Sequence, residues 1–183
     1  MKAKGEVASA ARQQFAPSHR RQREAPPRGA DCGGDEKSHL VPVRPTGIME
    51  TSLYGSDVTA LEAFYTRVLG LKVIRRLGVQ GSALACGRSV LLLFDPSLTN
   101  AQQGEVPAHG AEGRGHVAFS IRTEEYALWR RHLDAVGVAV ESEVDWPRGG
   151  HSLYFRDPAG NSVELTTGAT WGMGEVDSSN EVT

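Results

Sequence analysis

The sequence predicts an α+β protein built from two copies of one βαβββ unit, and three observations predict it. Leu69-Gly70-Leu71 returns as Val136-Gly137-Val138 at an offset of 67 residues. Gly87-Arg88-Ser89-Val90-Leu91-Leu92 returns as Gly160-Asn161-Ser162-Val163-Glu164-Leu165 at an offset of 73 residues. Each repeated Leu/Val-Gly pair closes a stretch with helical spacing that follows a short alternating run. The unit is therefore duplicated, with a slightly longer middle in the second copy.

In chain order, Glu50-Thr51-Ser52-Leu53-Tyr54 reads as a strand. Ser56 or Asp57 then caps a helix whose Val58, Leu61, Phe64, Tyr65, Val68 and Leu69 form one stripe, stopped by Gly70. A short strand at Leu71 to Ile74 and two more around Ser82 to Cys86 and Ser89 to Phe94 complete the first unit. Residues 95–115, rich in Pro, Gln, Asn and Gly, read as a connecting loop. The second unit opens on His116 to Ile121. Thr123 and Glu125 start its helix, with Tyr126, Trp129, Leu133 and Val136 on one face and Gly137 as the stop. Val138-Ala139-Val140 reads as the strand that mirrors Leu71 to Ile74, and a final hairpin turns through Asp157 to Asn161. The expected units are about 48–95 and 114–168 within a domain spanning 47–168, followed by a frayed tail at 169–183.

Composition narrows the function classes. Residues 1–45 hold nine Lys/Arg against five Asp/Glu and show no hydrophobic period, which reads as a disordered basic extension. A transit peptide, or translation starting at Met49, fits that segment equally. The remainder carries eleven basic against seventeen acidic residues, which argues against nucleic acid as its main partner. No apolar run reaches the length of a membrane span. Cys32 and Cys86 make no metal-binding spacing, so a reducing, cytoplasmic compartment is expected.

The residues able to carry chemistry lie on strands. His116 and Glu164 each sit among apolar neighbours on an alternating run, which sets a metal-capable side chain on a half-buried face, and Glu50 lies on the earlier strand. Pairing Tyr154 with Glu164 across the last turn puts Ser152 and Tyr154 on the same face, where their hydroxyls could hold an oxyanion. His109 and His151 are loop or strand-end histidines suited to proton transfer. No phosphate loop, dinucleotide fingerprint or nucleophile elbow is present.

Two tandem βαβββ units ending in Asp157-Pro158-Ala159-Gly160-Asn161-Ser162-Val163-Glu164-Leu165 resemble the vicinal oxygen chelate superfamily of glyoxalases, extradiol dioxygenases, fosfomycin-resistance proteins and bleomycin-binding proteins. The resemblance implies a cupped mixed sheet with helices outside and a divalent metal or a ligand in the cup. It implies Glu50, His116 and Glu164 as metal ligands, with Leu91 at the fourth position, where a carboxylate would otherwise sit. Glu50 stands where the family usually has His. One imidazole and two carboxylates suit Mn, Fe(II) or Mg better than Zn. The implied activity is that of a lyase, isomerase or ring-cleaving dioxygenase on a small molecule that chelates through adjacent oxygens. The alternative is a metal-free, drug-sequestering protein of the bleomycin-resistance type, and a third possibility is an interaction protein using the basic arm. Small members of the fold often form homodimers.

Overall fold

A computed structural model describes residues 43–175 of the chain; the expectations for 1–42 and 176–183 fall outside the described residues. The first unit runs β1 (Glu50–Tyr54), α1 (Val58–Leu69), β2 (Lys72–Arg76), β3 (Gly81–Cys86) and β4 (Ser89–Phe94). A short helix α2 (Pro96–Asn100) leads into the second unit, which runs β5 (His116–Ile121), α3 (Tyr126–Ala135), β6 (Ser142–Asp145), β7 (His151–Arg156) and β8 (Ser162–Thr167). The two sheets have the same order, β1-β4-β3-β2 and β5-β8-β7-β6, and in each the first strand pairs in parallel with the last.

The helices end as the sequence predicts. Asp57 accepts a hydrogen bond from the Ala60 amide at the start of α1, and Gly70 closes it in the left-handed region at φ 68°. Gly137 follows α3 with φ 72°, so both copies use the same stop. Beyond a 3-10 turn (Gly168–Trp171) at the start of the expected frayed tail, two segments differ from expectation. Asp95 caps α2 through the Ser97 amide and Pro96 occupies its first turn, so the expected loop after β4 begins as a helix. Val138 to Val140 stays outside the ladder and packs against the core, and pairing with β7 begins where the Glu141 amide donates to the Tyr154 carbonyl, placing β6 at Ser142–Asp145.

One core serves both units. Leu53, Leu61, Phe64, Tyr65, Val68, Leu84, Leu91 and Leu93 from the first pack with Ile121, Leu133, Leu153, Phe155, Val163 and Leu165 from the second. Burial of this much contiguous apolar surface is the main stabilising contribution. Polar contacts fix the joint: the Tyr65 hydroxyl donates to Asp157 Oδ2 at 3.0 Å, and Asn161 Nδ2 donates to the Tyr54 carbonyl at 3.2 Å. Because each sheet turns one face into this common core, the opposite face of each is left free. On β1 the free face carries Glu50, Ser52 and Tyr54; on β5 it carries His116, Ala118 and Ser120.

The register corrects one expectation. Glu50 pairs with Val90 as His116 pairs with Ser162, so the counterpart of Glu164 in the first unit is Leu92. Leu91, expected at that place, is 1% exposed and lies in the core. The sequence match aligned the two glycine turns, but their lengths differ: Gly87-Arg88 alone joins Cys86 to Ser89, whereas 157–161 join Arg156 to Ser162. A slip of one residue transfers a side chain to the opposite face.

Candidate metal centre

The free face of the second sheet gathers most of the polar residues that the sequence singled out. β5 and β8 run parallel with Ala118 opposite Glu164, and that small side chain leaves room for His116, two residues back, to reach the carboxylate. His116 Nε2 lies 3.3 Å from Glu164 Oε2. The other ring nitrogen, Nδ1, lies 3.1 Å from the Ser162 carbonyl. A carbonyl only accepts, so Nδ1 carries a proton and Nε2 is the atom presented to the carboxylate. A bare nitrogen lone pair facing a carboxylate oxygen is repulsive. Nε2 and Oε2 therefore face each other across a gap that a proton or a cation can bridge.

Glu164 is 6% exposed, and its one ion-pair partner among the described residues is His116. A carboxylate so deeply placed needs donors or a cation as partners. Ser152 Oγ donates to Glu164 Oε1 at 2.6 Å. The Ser152 hydroxyl also accepts from Trp146 Nε1 at 2.8 Å and lies 2.9 Å from Thr166 Oγ1, which is 3.0 Å from Thr170 Oγ1. Tyr154, opposite Glu164 in the ladder, stacks on His116 with ring centroids 6.3 Å apart. Burial, and the Glu164 carboxylate beside it, hold the Tyr154 phenol above its ordinary value.

These contacts separate the two hydroxyls that the sequence put together. A serine hydroxyl has one proton to give and two lone pairs to offer. Ser152 is fully buried, gives its proton to Glu164 and uses its acceptor capacity on Trp146 and Thr166, so it holds the carboxylate and has nothing left for a substrate. Tyr154 is half-buried and borders the His116–Glu164 pair. The roles of Trp146, Thr166 and Thr170 were missed by sequence reasoning. Alternation puts Thr166 on the Glu164 face, but nothing in the chain shows that Trp146 and Thr170 turn back onto it.

The remaining predicted residues lie elsewhere. Glu50 is exposed on the free face of the first sheet, and among the described residues no group of three or more His, Cys, Asp or Glu side chains gathers to hold a metal. His109 lies over the first sheet, its Nδ1 2.9 Å from the Tyr54 hydroxyl and its ring 5.0 Å from that of Phe94. Tyr54 and Phe94 share the free face with Glu50. His151 alternates with Ser152 and so lies on the helix side of β7, where it pairs with Asp145 at 2.7 Å and meets the Tyr126 ring. From there it does not face the His116–Glu164 pair.

The sequence profile of the Glyoxalase/Bleomycin resistance protein/Dioxygenase superfamily matches residues 47–165. The chain belongs to this superfamily. A crystal structure of a lactoylglutathione lyase from Agrobacterium tumefaciens is 43% identical and superposes with a TM-score of 0.69, covering 72% of this chain and all of the other. A glutathione transferase, FosA, of Serratia marcescens is 30% identical over 117 residues, which is 62% of this chain and 75% of that protein. A metallothiol transferase, FosB, of Bacillus licheniformis is 39% identical over 57 residues. That stretch covers 31% of this chain and only 37% of the relative. Superfamily members generally use a divalent metal. One chain brings together two side chains able to ligate such an ion, an imidazole whose opposite nitrogen is anchored and a buried carboxylate held from behind, short of the three or more that a site takes. Among the described residues no helix is long and apolar enough to cross a membrane.

Proposed function

We propose that the protein is a divalent-metal-dependent enzyme of lyase, isomerase or transferase type, acting on a small molecule that presents two adjacent oxygens. The observation that carries this reading is the His116–Glu164 pair, with Nδ1 tied to the Ser162 carbonyl and Nε2 aimed at a buried carboxylate. His116 and Glu164 would hold the metal, with Mn, Fe(II) or Mg favoured over Zn by the oxygen-rich set. When bound, it supplies Lewis-acid polarisation of the substrate oxygens.

The chain's own residues do the rest. Tyr154, opposite Glu164 in the ladder and stacked on His116, would turn its hydroxyl from the carboxylate to a developing oxyanion beside them. The third ligand is Glu50 of a second copy. Glu50 and His116 occupy equivalent ladder positions in the two units, and the free faces lie on opposite sides of a shared core. A two-fold assembly that sets the first sheet of one copy against the second sheet of the other brings them to one point, making the homodimer the working unit. The same assembly brings His109 into the cup as the proton carrier, its Nδ1 engaged by Tyr54 and its Nε2 available. The likeness to a lactoylglutathione lyase and to two thiol transferases supports a thiol adduct as the substrate class, and favours Lewis-acid chemistry over ring cleavage.

Elemental analysis of purified wild type, His116→Ala and Glu164→Gln tests the reading, with hemithioacetal, fosfomycin-plus-thiol and catechol oxygen-uptake assays in parallel. About one divalent ion per chain is expected, absent from both variants, with activity on a thiol adduct. A metal-free wild type that still binds small molecules would instead make it a sequestering protein.

A further inference from the structure

We propose that Thr170, Thr166 and Ser152, together with the Trp146 indole, form a positioning chain that fixes Glu164 Oε1 as an acceptor and reserves Oε2 for a hard divalent cation. The inference rests on the cation site proposed above and assigns a role to residues that do not touch the ion.

Elimination sets the direction of every bond. Glu164 Oε1 can only accept from Ser152, so the single Ser152 proton points at the carboxylate. Trp146 Nε1 can only donate, and it donates to Ser152 Oγ. With the Ser152 proton committed, Thr166 must donate to Ser152, and with the Thr166 proton committed, Thr170 must donate to Thr166. Three hydroxyls thus run head to tail toward one carboxylate oxygen, and each donor polarises the next. Ser152 and Thr166 are buried at 0% and 7% exposure, so water does not compete for these protons. Anchored in this way, the carboxylate cannot rotate to present both oxygens equally, and Oε2 is left on the His116 side.

The outer end of the chain is built by a separate feature. Thr170 lies on a 3-10 turn (Gly168–Trp171) that the sequence assigned to a frayed tail, and it is seated against Gly150 in the turn before β7. A Cβ at Gly150 would lie 2.3 Å from both the Thr170 amide and its Oγ1. Gly150 is therefore the residue that admits Thr170 to the site. Thr166 lies on β8 and Thr170 on the turn that directly follows it, so the support is carried by the end of the last strand.

The test measures binding of Mn(II) by the full-length protein, from the signal of free Mn(II) in electron paramagnetic resonance, for wild type, Ser152→Ala, Thr170→Val and Thr170→Ser, with thermal melts alongside. Ser152→Ala is expected to weaken Mn(II) binding about tenfold or more, as losses of outer-shell partners generally do. Thr170→Val should weaken it by a smaller factor, and Thr170→Ser, which keeps the hydroxyl, should restore wild-type affinity while melting with Thr170→Val. Wild type that binds Mn(II) through His116, with unchanged affinity in Ser152→Ala and Thr170→Val, would overturn this inference and leave the site standing. Wild type that binds no Mn(II) would overturn both.

Discussion

Glu62 shows how one side chain ties a helix to its sheet and makes that tie depend on pH. It reaches from α1 to accept from Arg76 on β2 at 2.7 Å and from Ser82 on β3, and those two donors hold its carboxyl below the usual value of 4.5. A depressed carboxylate stabilises the fold fully above its unfolded value, and that contribution disappears as pH falls through the lower folded value. Urea midpoints measured between neutral pH and pH 3 should therefore show wild type losing its advantage over Glu62→Gln only below about pH 4.5. A constant gap across that range would contradict the assignment. At the same scale, His116 and Glu164 were legible because each interrupts an alternating strand with a group that needs a partner. Ser152 was legible only as to face. Whether a hydroxyl is saturated depends on Trp146 and Thr166, and no local pattern announces those contacts.

Register is where reading the elements succeeded in kind and missed by one residue. The run from Ser89 to Phe94 reads as a strand from sequence, but Leu91, Leu92 and Leu93 in a row do not say which one faces the core. The turn settles it: two residues between β3 and β4, five between β7 and β8. The prediction is asymmetric. Leu91→Glu puts a charge among fully packed apolar groups and should prevent folding, whereas Leu92→Glu, on the half-buried free face, should yield folded protein. Circular dichroism melts of the two variants decide it, and equal tolerance would refute the register. Helix α2 was missed although Asp95-Pro96 carries both of its start signals, because the Gln- and Gly-rich stretch behind it outweighed them. The strand expected at Val138 to Val140 was displaced because those valines pack on the core without reaching a ladder partner.

Across the whole molecule, the duplication was readable from the repeats, and the way the two copies meet was not. Nothing in the spacing of residues says that α1 and α3 share one core, with Phe64 against Phe155 and the Arg67 guanidinium on the Val136 carbonyl, so that the free faces point apart. That arrangement is why one chain brings together two of the three expected ligands and leaves Glu50 on the other sheet. It is also why the proposed site needs two chains. The most direct measurement is the metal content of a mixed dimer purified from differently tagged Glu50→Ala and His116→Ala chains. If Glu50 of one copy completes the His116–Glu164 pair of the other, each variant alone binds no metal, and the mixed dimer recovers one intact site, about one ion per two chains. A mixed dimer as empty as its parents would show that no site is shared between chains.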